Sequence, residues 1–363
     1  MNTTGETQQL PAPQHQAPAR AARPGGTPRL GIAIIAVAAF VAEMAVSARY
    51  GYVRDELYFL SAGRHLAFGY VDQPPLTPLL ARLAAVAGGN TLVALRVVPA
   101  LALAALVVAT AAMSRILGAG RTGQLLAALA AATCGEYLGA MHELTTTTPD
   151  FVFWAATLLL VMKLLVSQDP RWWVAIGACA GVASEAKWNI GFLVIALAAG
   201  FLATDARRLL RSRYLLAGCL IAAALAAPDL IWQAAHGWPS IDVFRALQGE
   251  AGHNRAVYWA AQVLYTGLVL VPVWVTGAIW SVRSEAARRF RPVGIACGLA
   301  IVLQFVLGGK AYYPGGAYTF LLAAGCMPAE RWLAARRLAA NRPPRIPTAT
   351  KRMPPPVGVP ALR

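Results

Sequence analysis

The sequence predicts an all-α polytopic membrane protein, and three observations lead to that prediction. The 363 residues are 58% hydrophobic and only 13% charged, with a mean hydropathy of +0.53, whereas soluble domains carry about 25% charged residues. Apolar runs of about 17–25 residues, the length that crosses a bilayer, recur along the chain. The net charge of +16 falls mostly in clusters between these runs, which indicates membrane orientation rather than nucleic-acid binding.

The chain divides into a membrane domain and two tails. Residues 1–29 are rich in Pro, Gln, Ala and Arg without periodicity, which predicts a disordered tail. The apolar run that follows is too long for a signal-peptide core and is interpreted as a retained span. Residues 331–363 form a basic, Pro-rich tail, so residues 30–330 make up the membrane domain. Ten spans are predicted, near residues 30–47, 92–113, 123–141, 150–167, 172–186, 188–204, 214–234, 257–281, 292–309 and 316–330.

Residues 172–204 fit either one long tilted helix or two short helices that meet at Glu185–Lys187. The charge pattern favours a hairpin of two helices, because the basic clusters then fall on one side of the membrane together with the N-terminal tail. Both termini are therefore expected to be cytoplasmic, with most of the acidic loops on the outer face. The basic clusters are residues 115–121, 163–171, 207–213, 283–291 and 331–363.

The chemically richest segment is the large first outer loop, YGYVRDELYFLSAGRHLAFGYVDQPPL, residues 50–76. Its adjacent acids Asp55 and Glu56 differ by about 100° on a helix, so only one of them can face a given site. One interpretation is that a carboxylate takes a proton from an acceptor. The other is that the pair is solvated and caps an amphipathic helix at the membrane surface, with Asp55 as the N-cap.

Other polar residues of the predicted outer face also allow two interpretations. The Pro pair in VDQPPL holds Asp72 and Gln73 in a stiff turn, or simply marks a helix start. In HELTTTTPD, Glu143 and Asp150 either line the same outer cavity as Asp55 or cap a helix.

Two cations of the outer face, Arg64 and Lys187, suit a lipid-linked phosphate, which Arg can bind in bidentate fashion. Snorkelling to headgroups or pairing with nearby acids explains them equally simply. GKAYYPGGAY sets Lys310 and Tyr312 at an outer edge where glycines allow close backbone approach. The five cysteines lie in apolar runs without disulfide or zinc spacing, and no metal-ligand motif is present.

Taken together, the first loop, TTPD ahead of a span, SEAKW, PDLIWQ…HGWP and GKAYY resemble bacterial glycosyltransferase family 39. That family is part of the GT-C superfamily, with protein O-mannosyltransferases and the lipid A aminoarabinose transferase as relatives. The resemblance covers about residues 30–330. It implies a GT-C-type bundle of about ten transmembrane helices in a bacterial inner membrane, a polyprenyl-phosphate-linked sugar donor, an active site on the outer face, and inversion at the anomeric carbon.

By this resemblance, Asp55 is the general base and Glu56 completes the acidic pair. Arg64, Lys187 and Lys310 become candidates for binding the donor phosphate, and Asp150 for the acid of the second outer loop. The pattern departs from the family in two places. Gln73 stands where many relatives have Lys or His, and after residue 330 the sequence passes into a basic segment where relatives usually continue into an outer-face domain.

The sequence therefore predicts a membrane glycosyltransferase whose acceptor is a lipid, a glycan or a protein. No cofactor is required, and a divalent cation stays open because relatives with an acidic pair can bind one. The expected partners are the lipid-linked donor, membrane lipids and the acceptor, with no nucleic acid. The alternatives are a transporter or flippase of lipid-linked precursors and a non-catalytic relative. Transporters place binding groups near the midplane of repeated halves, whereas here the acids crowd the outer rim and no repeat is visible.

Overall fold

The computed structural model describes residues 27–340, and all of the regular structure in this range is helical. This confirms the predicted all-α class. The described range contains fifteen α-helices: α1 (Arg29–Val46), α2 (Arg54–Arg64), α3 (Leu76–Gly88), α4 (Leu92–Ile116), α5 (Arg121–Ala132), α6 (Gly135–Ala140), α7 (Thr147–Ser167), α8 (Trp172–Ser184), α9 (Ile190–Leu202), α10 (Arg213–Ala235), α11 (Pro239–Gln248), α12 (Ala251–Thr266), α13 (Val271–Arg283), α14 (Arg291–Leu307) and α15 (Tyr318–Ala340). Three 3-10 segments join them, at Asp205–Arg211, Glu285–Phe290 and Gly315–Ala317.

The chain is a multi-pass membrane protein. Within residues 27–340, five helical stretches are long and apolar enough to cross a bilayer: α1, α4, α7, α10 and Glu285–Leu307, which contains α14. Two bent pairs raise the number to seven if each pair is one span. The predicted figure of ten is therefore approximate, because helices such as α8 and α9, with 13 residues each, are shorter than the ~20 residues that a full crossing needs.

Three predicted boundaries were wrong. The span expected at 257–281 is two helices, α12 and α13, bent by 106°. Gly267 supplies the positive φ of +88° at the break, and Pro272 lies in the first turn of α13, where proline is favoured. The span expected at 123–141 breaks at Thr133–Cys134 into α5 and α6. Finally, α15 continues to Ala340, ten residues into the stretch predicted as tail. The remainder of both predicted tails lies outside the described residues.

The chain reverses direction between α8 and α9, as the hairpin interpretation predicted. At one end, the indole of Trp173 at the start of α8 donates to the Leu209 carbonyl, just beyond α9 (3.0 Å). At the other end, the turn 185–189 contacts the start of α7, where Lys187 Nζ lies 3.4 Å from Thr147 Oγ1. The two helices thus run to this turn and back, so the turn lies at the same end of the bundle as the first loop.

The two ends of the bundle differ in the charged residues that they carry. At one end, Arg288 pairs with Asp205 (3.0 Å), and the Glu330 carboxylate accepts hydrogen bonds from the backbone N–H groups of Gly120 and Gly123 (2.8 and 2.9 Å). We call this end the basic end and the opposite one, which carries the first loop, the loop end. The basic end gathers residues from four of the predicted basic clusters, at 115–121, 163–171, 207–213 and 283–291.

Glycines let several helices pack backbone against backbone. A Cβ on Gly277 of α13 would meet the Leu321 carbonyl of α15, and one on Gly325 of α15 would meet the Val273 carbonyl of α13. Gly177 of α8 and Gly218 of α10 are in equally close contact. Small residues are typical of helix contacts inside membranes, because van der Waals packing replaces the hydrophobic drive there.

Candidate active site

A cavity of about 330 Å³ opens at the loop end of the bundle. It lies between the start of α2, the short helix α6, the loop 141–146, the end of α12 and the loop 308–317. A volume of this size is at the lower end of those that hold small ligands. Its polar lining includes Asp55, Glu136, Glu143, Thr147 and Tyr312.

Asp55 stands in the first turn of α2 with its side chain directed to this cavity. Its side chain is 46% exposed, and the contact recorded for it among the described residues is an exposed pair with the adjacent Arg54 (3.2 Å). The sequence suggested Asp55 as the helix N-cap, but the N-cap is Val53, whose N–H donates to Glu56 Oε2 (3.0 Å). Because Glu56 makes the capping contact, the Asp55 carboxylate stays available to a ligand.

Glu56 points away from the cavity and is fully buried. Its two oxygens accept from Nε and Nη2 of Arg96 on α4, both at 2.9 Å, in a bidentate ion pair. The same guanidinium donates to the carbonyls of Ser47 (2.5 Å) and Gly51 (3.0 Å) in the link between α1 and α2. Glu56 therefore has a structural role: it fixes the start of α2. This geometry corrects its assignment as one of two catalytic carboxylates.

Two further carboxylates face the cavity. Burial raises the pKa of Glu143, and the charges of Asp55 and Glu56 add to this effect, so Glu143 holds a proton more readily than a free glutamate. Glu136 on α6 is only 5% exposed, and its Oε1 has no partner within the described residues. Its aim into the cavity explains why an acid occurs inside an apolar stretch.

Lys187 lies at the edge of the cavity. Its ammonium is 3.4 Å from Thr147 Oγ1 and 5.3 and 4.4 Å from the ring centroids of Tyr312 and Tyr313, and both Thr147 and Tyr312 line the cavity. Burial lowers its pKa and nearby Lys310 adds to this, while Asp150 opposes it. An ammonium carries three donors, and one hydrogen bond is recorded here, so Lys187 has donors to offer an anion.

Asp150 does not line the cavity. It is fully buried at the start of α7, where its Oδ2 accepts from Asn189 Nδ2 (2.8 Å). Asn189 also donates to the Tyr313 carbonyl (2.8 Å) and accepts from Gln304 of α14 (2.8 Å). The cavity-lining interpretation of Asp150 is therefore corrected: its contacts hold the Lys187 turn against α7 and α14.

Two other predicted cavity residues, Asp72 and Gln73, also lie outside the cavity. Asp72 is exposed and accepts a hydrogen bond from the Tyr58 hydroxyl (2.5 Å). Gln73 is 5% exposed, and its Nε2 has no partner in the described part of the chain. The Pro-Pro turn that carries them packs instead against the α8–α9 turn, where Leu76 N–H donates to the Glu185 carbonyl (2.8 Å).

The other two predicted phosphate ligands, Arg64 and Lys310, do not line the cavity. Arg64 is exposed at the end of α2, about 14 Å along the helix from Asp55 at 1.5 Å per residue. Lys310 lines a separate, smaller pocket with Tyr313 and Gln304. Lys187 is thus the cation that the structure sets beside the Asp55 cavity.

Some cavity residues were not predicted as site residues. Neither Glu136 on α6 nor Tyr265 at the end of α12 was selected from the sequence, yet both line the cavity. The cost of a charge in a hydrophobic segment was the signal that could have selected Glu136. In residues 27–340, no three His, Cys, Asp or Glu side chains are close enough together to hold a metal ion.

Glu185, in the α8–α9 turn, is expected to make stability depend on pH. Burial raises its pKa to about 7, so ionisation of Glu185 opposes folding. The wild type should lose stability as pH rises from about 4.5 to about 7, and Glu185→Gln should escape this loss. We expect the melting temperature of Glu185→Gln, relative to the wild type, to rise over that range and level off above it.

Thermal unfolding of purified protein at a series of pH values measures this difference. Glu250→Gln is the matched control, because Glu250 is an exposed acid at the same end of the bundle. A difference between Glu185→Gln and wild type that is the same at every pH would contradict the prediction.

Comparisons with known proteins agree with the architecture. The family model described as dolichyl-phosphate-mannose-protein mannosyltransferase matches residues 72–232. Among solved structures, the chain is similar to ArnT from Cupriavidus metallidurans bound to undecaprenyl phosphate, with a TM-score of 0.65 at 16% sequence identity. The superposition covers 86% of this chain and 63% of the ArnT chain. No curated protein matches the sequence significantly.

The sequence match falls on the middle of the chain and the structural match on most of it. At this identity the structural match establishes the fold, and this chain spans 63% of the length of the ArnT chain. The two findings together agree with the resemblance to glycosyltransferase family 39, and the chain is a multi-pass membrane protein with an ArnT-like fold.

Proposed function

We propose that this protein transfers a sugar from a polyprenyl-phosphate-linked donor to an acceptor on a lipid, a glycan or a protein. The observation that carries the proposal is the Asp55 carboxylate, which lines the cavity, together with the Lys187 ammonium at the edge of the same cavity. A lipid-linked donor presents a phosphate that a cation can hold, and an acceptor has a proton that a carboxylate can take. The undecaprenyl phosphate bound to the ArnT structure supports this donor class.

The reaction would be a single displacement. The acceptor oxygen or nitrogen attacks the anomeric carbon as its proton passes to Asp55, and the bond between that carbon and the phosphate oxygen breaks. The phosphate leaves with the bonding electrons, and the charge of Lys187 stabilises it. Attack opposite the leaving phosphate inverts the anomeric configuration. Glu143 and Glu136, which also line the cavity, would contact the sugar or the acceptor.

The cavity would face the outer side of the inner membrane. The basic clusters of the described chain meet at the end opposite the cavity, and basic residues favour the cytoplasmic side. The two termini would then be cytoplasmic, with Arg29 and the end of α15 on that side.

The test is a transfer assay in membranes that contain the protein at a known level. Radiolabelled polyprenyl-phosphate sugars and nucleotide sugars are offered in parallel, with and without a chelator of divalent cations, and labelled products are separated by class. We expect transfer from lipid-phosphate donors alone. Loss of label transfer on chelation would assign a role to a divalent cation.

The alternatives give different results in the same membranes. Absence of transfer from every donor, with facilitated movement of the labelled lipid across sealed vesicles, would replace the proposal with lipid translocation. Neither transfer nor movement would indicate a non-catalytic role.

Lys187→Met is expected to weaken use of the donor. A hydrogen bond to a charged group contributes about 1.5–3 kcal/mol, and about 1.4 kcal/mol is a factor of ten in affinity, so the KM for the donor should rise about tenfold or more. Lys163→Met is the matched control, because Lys163 also lies over an aromatic ring, Trp172, but near the opposite end of α7. A donor KM that does not change in Lys187→Met would remove Lys187 from the phosphate site.

A further inference from the structure

A second and larger cavity, of about 730 Å³, lies at the basic end of the bundle. The ends of α7 and α9, the 3-10 segments Asp205–Arg211 and Glu285–Phe290, and the start of α14 enclose it. Thr147 lines the candidate active site and Leu165 lines this cavity, so the two are separated by about 27 Å along α7. The basic-end cavity is therefore distinct from the proposed site of transfer.

The basic-end cavity carries an excess of positive charge. Its charged lining consists of four arginines and two acids: Arg208, Arg288, Arg289, Arg291, Asp205 and Glu285. The acids are poor neutralising partners, because the carboxylates that pair with Arg288 and Arg291 are 82% and 79% exposed and exposed ion pairs contribute little. An anion can compete with such partners.

Many guanidinium donors in this cavity are unused. Arg208 donates to the side chain of Gln168 (3.0 Å), and no partner is recorded for Arg289 in the described residues. Nε of Arg291 is buried and lacks a hydrogen-bond partner in that same range. Because each guanidinium has five N–H groups in a planar fork that matches phosphate oxygens, the cluster has both the charge and the free donors to hold a phosphate.

Aromatic side chains cluster at the same end of the bundle as this cavity. Trp172 and Trp173 start α8 and Tyr214 lies at the start of α10; the Trp173 indole donates to Leu209, in the 3-10 segment that carries Arg208. Trp and Tyr are enriched at the headgroup level of bilayers. Apolar residues, among them Leu165 and Pro292, complete the wall, so the cavity has both polar and apolar surface, as a lipid headgroup with its first carbons requires.

We propose that the basic-end cavity binds the phosphate of an anionic phospholipid headgroup, taken from the leaflet at that end. The arginines hold the phosphate in bidentate fashion, and the negative potential of an anionic leaflet concentrates the ligand beside them. The site stands whether or not the protein transfers sugars.

Native mass spectrometry of the purified full-length protein tests the proposal, with phosphatidylglycerol and phosphatidylcholine as probes. We expect wild type to bind phosphatidylglycerol at least tenfold more tightly than phosphatidylcholine. Arg208→Gln/Arg291→Gln and, separately, Arg289→Gln should each reduce this preference. Arg211→Gln is the matched control: Arg211 belongs to the same 3-10 segment as Arg208 but does not line the cavity, so the preference should stay.

Arg289→Gln removes no contact recorded for the described chain, so its folding is not at risk, and melting temperatures check the double variant. Equal binding of the two lipids by wild type, or an unchanged preference in both arginine variants, would overturn the proposal. Competition with inorganic phosphate distinguishes a lipid headgroup from a soluble anion as the ligand. Displacement of phosphatidylglycerol by millimolar phosphate, with the same dependence on the arginines, would make this a site for a soluble anion and overturn the lipid assignment.

Discussion

Asp55→Asn should reduce sugar transfer by about 10²–10⁴-fold, the range that a general base contributes. The substitution keeps the shape of the side chain and removes its ability to take a proton from the acceptor. The exposed pair with Arg54 is the contact that it disturbs, so folding should be intact. We therefore expect the loss in kcat, at a donor KM close to that of wild type, in the transfer assay with matched protein levels.

Asp242→Asn is the control for Asp55→Asn. Asp242 is also an exposed acid at the loop end, and it pairs at 3.0 Å with a nearby arginine, Arg245. It does not line the cavity. Its substitution should leave transfer unchanged. If Asp55→Asn transferred sugar at the wild-type rate while folded, proton transfer would have to be assigned to another group, and Glu143 would be the next carboxylate to substitute.

The sequence predicted the helices whose apolar runs stand alone and missed the breaks within longer runs. α1, α4, α7 and α10 follow from length and hydropathy. The bend between α12 and α13 does not, because apolar residues continue through it. Gly267 and Pro272 mark the break locally, and tertiary contacts fix the bend. Gln262 of α12 donates to the Ala311 carbonyl (2.7 Å) and accepts from the Tyr318 hydroxyl, and these contacts hold α12 against the loop end.

The sequence predicted candidate site residues one segment at a time, from the chemistry of each segment. Asp55, Glu143 and Tyr312 were selected from three separate loops, and the fold brings them to one cavity. The angular argument also held, since only one member of the adjacent acidic pair faces that cavity. Helix geometry alone does not say which member it is, because the choice depends on Arg96, forty residues further along the chain; in the sequence, only the family resemblance pointed to Asp55.

The Arg96–Glu56 ion pair should be the most sensitive point of the loop end. Each group is at most 2% exposed, and removing one partner of a buried pair costs about 3–5 kcal/mol because the other charge is left unpaired. Glu56→Gln and Arg96→Met should therefore both lower the melting temperature strongly. Both should also reduce transfer, since the start of α2, and with it Asp55, loses its anchor.

The double variant Arg96→Met/Glu56→Gln distinguishes an ion pair from two independent contributions. It leaves no buried charge unpaired, so it should be less destabilised than the two single variants added together. It should not recover wild-type stability, because the Ser47 and Gly51 carbonyls also lose their donor. Arg255→Met is the matched control: Arg255 donates twice to the Val306 carbonyl at the same end, but from an exposed position. If the melting temperature of the Glu56→Gln variant is no lower than that of Arg255→Met, the buried pair does not hold the first loop in place.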